Sequence, residues 1–308
     1  MELLDLIASS NVRITVGLNI LMAWSFYIML ATGQLSLGNA AFMAVGAYMS
    51  GVLSVNFRLP FVLAVVVAVL TGALFGALVG FPALRLRGIY LAMMTIGVEE
   101  AVQLFLTNFD YVGGSRGLRG MVGSSEAIVF LCVGLVLLFL WRLENSRLGR
   151  SFEAVRDDEV AASAMGLDTT YIKVLSFSIG SAIASLAGAL FAHYMFYIEP
   201  ANFDIFRSLT PAFFVIFGGV ETFWGPLLGA IVLTLLPEYA RGIASWRDTV
   251  YGLVILAMII WRPQGLISKA AVRAFGDFAR SSFLAARLRA SRGRKDSKGA
   301  IENVAARE

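Results

Sequence analysis

Cysteine and histidine are almost missing from this chain: Cys132 and His193 are the sole representatives among 308 residues. One thiol permits no disulfide within the chain, and a cysteine-based metal site is excluded. Charge is scarce as well. Only 15% of residues are Asp, Glu, Lys or Arg, against about 25% in a soluble domain, while 58% are apolar against about 45–50%. No G-x-x-x-x-G-K-[S/T] sequence occurs, so the chain has no phosphate-cradling loop, and any ATP that drives it is hydrolysed on another polypeptide. The opening MELLDLIASSNVR lacks the basic n-region of a cleavable signal peptide, so the first apolar run reads as a retained span.

What is present is a series of apolar runs, at roughly 14–32, 37–55, 60–80, 88–107, 125–142, 174–195, 208–219, 225–240 and 248–262. Hydrocarbon offers backbone amides no partner, so spans must be helices or a closed barrel. These runs are long and lack strict alternation, which argues against a barrel. The expected fold is all-α, a polytopic bundle of about eight to ten spans. Residues 1–267 form its transmembrane domain, with a cytoplasmic loop at about 143–173, and a basic tail follows at 268–308. The tail cannot bury a core and reads as a partly helical or disordered extension in the cytoplasm. A net charge of +4 calls for no nucleic acid, because positive loops and tail on the inner side account for it.

Arg142, Arg147, Arg150, Arg156 and Lys173 mark the 143–173 loop as cytoplasmic, and Arg85 and Arg87 mark a second inner loop. Counting outward places 108–124, 196–207 and 241–247 on the outside. The count inverts at the N-terminal side if Gly33–Leu37 breaks one helix rather than joining two. Gly72, Gly76 and Gly80 recur at a spacing of four, as do Gly180, Ala184, Gly188 and Ala192. Such stripes let helices approach closely in lipid, and packing is the expected role.

The charged island reads RLENSRLGRSFEAVRDDEVAASAMGLDTTYIK. Phe152, Val155, Ala162 and Met165 fall near one face of a helix, and Glu153, Arg156, Asp157, Asp158 and Glu159 cover much of the rest. About four turns of helix are not stable alone in water, so this segment needs a surface. An apolar strip bordered by charge suits a groove on a soluble protein, with Gly166 as the C-terminal stop. A solvated connecting helix resting on the membrane fits the same charges.

Elsewhere, Gln34, Ser36 and Asn39 surround two glycines in an apolar region. Gly33–Asn39 is therefore either a helix break beside a translocation path or an interfacial turn. Glu99 and Glu100 lie within an apolar run, and intramembrane carboxylates default to function. Adjacent helical residues point about 100° apart, so both cannot face one pore; a structural hydrogen bond or an interfacial position is the competing reading. Gly113–Gly117 matches G-x-S-x-G in letters, but the strand–turn–helix it needs has no place in a helical bundle.

Glu159, Ala161, Ala162 and Gly166 form E-x-A-A-x-x-x-G. This resembles the coupling loop of ABC importer permeases, although the acid stands one place early and the family's Ile-x-Leu-Pro ending is absent. Six segments, one of them holding that pattern, occur in order: GQLSLGNAAFMAVGAYMSG (33–51), RLRGIYLAMMTIGVEEAVQLFLTN (85–108), VGGSRGL (112–118), RDDEVAASAMGL (156–167), FGGVETFWGPLLGAIVLTLLPEYAR (217–241) and RPQGLI (262–267). Together they resemble the M-type permease subunits of the LIV branched-chain amino acid importers. Departures occur at Asn39, at Tyr111-Val112 and at Val220-Glu221.

The resemblance implies a non-enzymatic subunit of the bacterial inner membrane. Its expected partners are lipid, a second homologous permease, two cytoplasmic ATPases and an outer binding protein. ATP and magnesium belong to the ATPases, and the chain itself is expected to hold no cofactor or metal. The resemblance makes Glu153, Arg156, Asp157, Asp158, Glu159, Ala161, Ala162, Met165 and Gly166 the expected coupling residues. Gln34, Ser36, Asn39, Thr95 and Glu99 are the candidates for the path. Relatives also carry urea, amides and aromatic acids, and an ion-coupled transporter is the remaining alternative.

Overall fold

The computed structural model describes residues 10–239, apart from 84, 87 and 122, and a few positions between 252 and 266. The expected span at 248–262, most of the motif at 262–267, the outer segment at 241–247 and the tail at 268–308 fall outside the described residues or are described at isolated positions only.

Apolar runs become helices because each residue closes its own backbone hydrogen bond within the segment. These helices are α1 (Ser10–Leu30), α2 (Asn39–Val55), α3 (Phe61–Ala83), α4 (Ile89–Asn108) and α5 (Glu126–Glu144). The island supplies α6 (Arg147–Asp157) and α7 (Glu159–Ala164), followed by α8 (Thr169–Met195), α9 (Ile205–Gly218) and α10 (Trp224–Tyr239). Five of them, α1, α3, α4, α5 and α8, are long and apolar enough to cross a membrane. At 1.5 Å per residue α8 is about 40 Å long, whereas α2 reaches only about 25 Å, short of a bilayer core of about 30 Å.

The long α8 is the axis of the bundle, with α1, α2 and α3 packed around it. The α9–α10 pair lies against α1, α5 lies against α1, and α4 against α2. Small residues set these distances, but the two stripes do not meet each other. Gly72 and Gly76 of α3 face Ser185 and Ser181 of α8, while Gly180 abuts Ser25 and Met29 of α1, and Gly188 abuts the Met43 carbonyl of α2. Serine hydroxyls close the seams: Ser176 donates to the Ile28 carbonyl, Ser178 to Ala73 and Ser185 to Phe42.

The ends of the bundle agree with the charge-derived topology. At one end Arg13 pairs with Glu126 at 2.6 Å, Tyr194 donates to Asn11, and His193 lies 2.9 Å from Ser54. There too a two-residue antiparallel ladder, Leu118↔Ile198 and Arg119↔Tyr197, ties the 109–125 segment to 196–204. At the other end the 31–38 linker, Leu86 and Gly88, and the 219–223 turn meet the island helices α6 and α7. Arg156 donates to the Val220 carbonyl there, and Leu266 donates its N–H to Phe217. The charged island lies at this end and the Ser10 end of α1 at the opposite one, so Gly33–Gly38 joins two helices.

Candidate translocation and coupling site

Residues 31–38 carry the site into the bundle. Helix α1 ends at Leu30, the chain turns through Gly33 at φ +77°, and it then runs back without helical structure to Asn39. There Asn39 Nδ2 donates to Ser25 Oγ of α1 at 3.3 Å. Ser25 lies five residues before the end of α1, so α2 begins about 7 Å inside the level of Leu30. The open alternatives for this segment thus combine: it turns at the inner end and then lines the interior.

The amides of Ala31, Thr32, Gly33 and Gln34 donate to carbonyls of α1, whereas two near the segment's exit into α2 are satisfied by side chains from other helices. Leu37 N donates to Thr95 Oγ1 of α4 at 2.9 Å, and Ala40 N donates to Ser208 Oγ of α9 at 2.8 Å. Gly38 comes so close to the Thr95 carbonyl that a Cβ would lie 2.4 Å from it. A polar belt results, with Ser25, Asn39, Thr95 and Ser208 buried and drawn from four helices. Thr95 and Asn39 were legible as candidates. Ser25 and Ser208 were not, because a lone serine in an apolar run carries no pattern.

Unpartnered atoms gather in this region. Both carboxylate oxygens of Glu99, the Asn39 carbonyl oxygen and the Ser36 hydroxyl are buried without a hydrogen-bond partner among the described residues. Ser208 approaches Glu99 without closing a bond of normal geometry. A buried carboxylate with only the Ser208 hydroxyl close to it is costly in apolar surroundings and is a candidate for function on that ground. Glu99 is 1% exposed and faces the interior of the protomer. Its neighbour Glu100 is exposed instead, on an open α4 face shared with Met93, Gly97 and Leu104, and no atom lies within 4 Å of where a Gly97 Cβ would be. Glu99 therefore reaches no open surface of this protomer; the carboxylate that sequence reasoning left aside, Glu100, does. Gln34 belongs elsewhere, in the wall of a cavity beside the island with Arg156.

The island departs from a single four-turn helix. Asp158 is extended (φ −155°, ψ 107°), which ends α6, and its carboxylate accepts from the N–H groups of Val160 and Ala161 to cap α7. Removing that cap costs about 1 kcal/mol in typical helices. The Asp158→Ala variant is accordingly expected to raise amide exchange across 159–165 about fivefold, with exchange in α8 unchanged, as read by hydrogen–deuterium exchange. At the far end Gly166 takes φ +86°; its N–H meets the Ser163 carbonyl and the Leu167 N–H meets Ala162. This is a left-handed glycine stop of the Schellman type. Lys173 and Glu159, 2.5 Å apart, hold α7 to α8.

The expected apolar docking strip is corrected. Phe152, Val155 and Ala162 are buried against the protein's own helices, which give the short island helices the surface they need. Of the four only Met165 stands out, 85% exposed, and Val160 joins it at 73%. Ala161 and Gly166 are exposed with them, as are Asp157 and Asp158, while Glu153, Arg156 and Glu159 are half-buried. Ala162 is thus a packing residue, and the free face of α7 was missed because helical periodicity groups residues without saying which group turns outward.

Among the described residues the G-x-S-x-G letters acquire no catalytic partner. Ser115 sits in a 3₁₀ turn, while His193 is committed to Ser54 and the Ala189 carbonyl, with Phe61 edge-on at 4.9 Å.

Comparison with known proteins agrees with this architecture. The family described as branched-chain amino acid transport system / permease component matches residues 9–261. The permease LivM of the high-affinity branched-chain amino acid transport system of Salmonella typhimurium is 33% identical over 287 residues, covering 82% of this chain and 66% of LivM. The probable LivM of Methanocaldococcus jannaschii is 31% identical over 215 residues, 60% of this chain and 62% of its own. LsrC of Yersinia pseudotuberculosis, an autoinducer 2 import permease, is 29% identical over 191 residues, 58% and 54% of the two chains. The chain thus spans just under two thirds of the length of the LivM relatives it matches. No solved structure matches it. A multi-pass helical bundle, a polar belt of four helices where the 31–38 linker enters α2, and this match over most of the chain lead to one assignment: the chain belongs to the family of branched-chain amino acid transport system permease components.

Proposed function

We propose that this protein is the transmembrane permease subunit of an ATP-driven importer in a bacterial cytoplasmic membrane, moving branched-chain amino acids inward. The observation that carries the reading is the joining of two features at one end of the bundle. A capped cytoplasmic helix, α7, turns Val160 and Met165 into solvent, and the preceding helix, α6, abuts the linker that leads into the polar belt. A Cβ on Gly33 would lie 3.8 Å from the Arg156 backbone, so the two segments are neighbours, and in this reading displacement of the island is passed to the linker.

In this reading two ATPase subunits, which hold ATP and magnesium, dock on α7 of each permease. A second permease covers the open α4 face, where Glu100 would otherwise meet lipid. A binding protein delivers solute at the end carrying the Leu118–Ile198 ladder. The chain supplies the path and the lever, with the coupling group running from Glu153 to Gly166 and the path group comprising Asn39, Thr95 and the carboxylates of α4.

Reconstitution with its ATPases, second permease and binding protein tests this. Leucine uptake into proteoliposomes should need ATP and fall at least about tenfold with a non-hydrolysable analogue. Uptake driven by an ion gradient without ATP would replace the reading with a secondary transporter built on Glu99 and Glu100. A second solute class is a specific alternative, because LsrC, a relative, imports autoinducer 2. ATP-dependent uptake of another small solute in place of leucine would establish it.

A further inference from the structure

A cavity of about 210 Å³ lies between the 31–38 linker, the α3–α4 loop and the two island helices. It is smaller than the clefts that take drug-sized ligands, and its walls are mixed. Leu86 and Leu91 form an apolar side, while Gln34, Arg156 and Asp157 contribute polar groups of both signs beside Asp158, which caps α7, and the Lys173–Glu159 pair. Gln34 is the unusual member. It is 6% exposed, and neither its amide nitrogen nor its amide oxygen has a hydrogen-bond partner among the described residues. A buried carboxamide with four unused hydrogen-bonding positions costs free energy unless something fills them. Arg156 lines the same wall; its guanidinium also reaches the 219–223 loop, where the Val220 carbonyl accepts at 3.4 Å, and Asp157 lies 3.6 Å from Nε.

We propose that this cavity is a binding site, reached from the cytoplasm, for a small zwitterion with an apolar side chain, that is, the transported amino acid after its release. The carboxylate would take donors from Arg156 and the Gln34 amide, the ammonium would face Asp157 and the Gln34 oxygen, and the side chain would lie on Leu86 and Leu91. The position gives the site a consequence. A ligand there sits between the island and the linker, the two parts that must move together during transport. If the cavity changes size in the cycle, a ligand that fits one state holds the protein in it, and accumulated amino acid slows its own import. This inference rests on the proposed import of amino acids for its choice of ligand.

Two measurements separate the inference from that reading. The full chain in nanodiscs, without binding protein, should bind radiolabelled leucine at least about tenfold more tightly than glycine, which lacks the apolar side chain. Leu86→Trp, which fills the cavity, and Gln34→Leu, which removes the carboxamide, should each weaken leucine binding about tenfold or more. With two variants, the site is still tested if one of them misfolds. Binding that is absent, or indifferent to both variants, overturns the site.

In proteoliposomes of the complete transporter, leucine preloaded inside should lower the initial uptake rate about threefold or more in the unmodified protein. The ratio of preloaded to empty rates, taken within each preparation, should return to one for Leu86→Trp. An unchanged ratio in the unmodified protein overturns the regulatory role. Absence of uptake into empty vesicles, with leucine still bound in nanodiscs, would refute the transport reading while leaving the site standing.

Discussion

Replacing Gly188 by leucine is expected to leave almost no folded protein in the membrane. A Cβ at this position would lie 1.9 Å from the Met43 carbonyl oxygen and 2.8 Å from its carbon, so the obstacle is the backbone of α2 and no side-chain rotation relieves it. The contact is reciprocal, since a Cβ on Gly46 of α2 would meet the Ser185 carbonyl of α8 at 2.1 Å. The two backbones touch along this seam, and Ser185 Oγ locks it by donating to Phe42 at 2.7 Å. Separation cannot be absorbed on the far side, where Gly72 and Gly76 of α3 already press on Ser185 and Ser181.

In lipid, helix association rests on this packing and on such hydrogen bonds, because apolar side chains gain nothing by leaving lipid for protein. Overpacking a soluble core typically costs about 1–3 kcal/mol. A leucine against backbone on the axis of the bundle should reach about 4 kcal/mol or more, the range reserved for failures of this kind. The check is the monodisperse yield after detergent extraction, together with the melting temperature of whatever remains. Gly134→Ala is the control: nothing lies within 4 Å of its Cβ, and alanine is the better helix former by about 1 kcal/mol. A Gly188→Leu protein that melts with the unmodified one would remove α8 as the structural axis.

Why the sequence revealed some of this and not the rest has a physical basis. The runs read at 60–80 and 88–107 appear as Phe61–Ala83 and Ile89–Asn108, because a continuous apolar segment has one solution in hydrocarbon. The glycine stripes were legible as packing for the same reason. Their partners were not, since spacing says that something comes close without saying what. The island shows the sharper limit. Phe152, Val155, Ala162 and Met165 share a face in a straight helix, yet the extended Asp158 starts a new helix axis and sends Met165 outward while Ala162 turns in. Asp158 is a good cap, and reading it as one would have divided the island correctly. Gln34, Ser36 and Asn39 were singled out by their glycines, but the fold distributes them. Asn39 goes to the belt and Gln34 to the cavity beside the island, because the linker covers the distance between those levels.

That division of the island fixes the second large effect. Replacing Val160 and Met165 together by aspartate should abolish uptake, by a factor of about thirty or more, while leaving the permease folded. The two side chains are 73% and 85% exposed, so neither supports the bundle, and surface changes of this kind shift stability by about 0.5 kcal/mol at most. If α7 is the face on which an ATPase closes, they are its apolar anchors. Loss of a buried anchor costs about 2 kcal/mol or more, and two unpaired carboxylates forced into a dry groove add to that. The contrast is Ala162→Phe, two residues from Val160 on the same short helix. It is 5% exposed and packs inward, so its effect should appear as a lowered melting temperature. Co-purification of the ATPases and ATP-dependent uptake read the docking face, and melting reads the packing face. Coupling through α7 requires that the double aspartate variant lose ATPase recovery and uptake yet melt with the unmodified protein. Normal ATPase recovery with normal uptake would move the entry of ATP energy elsewhere on the cytoplasmic surface. The Schellman stop at Gly166 and the Lys173–Glu159 pair would then be devices that merely end and anchor a connecting helix.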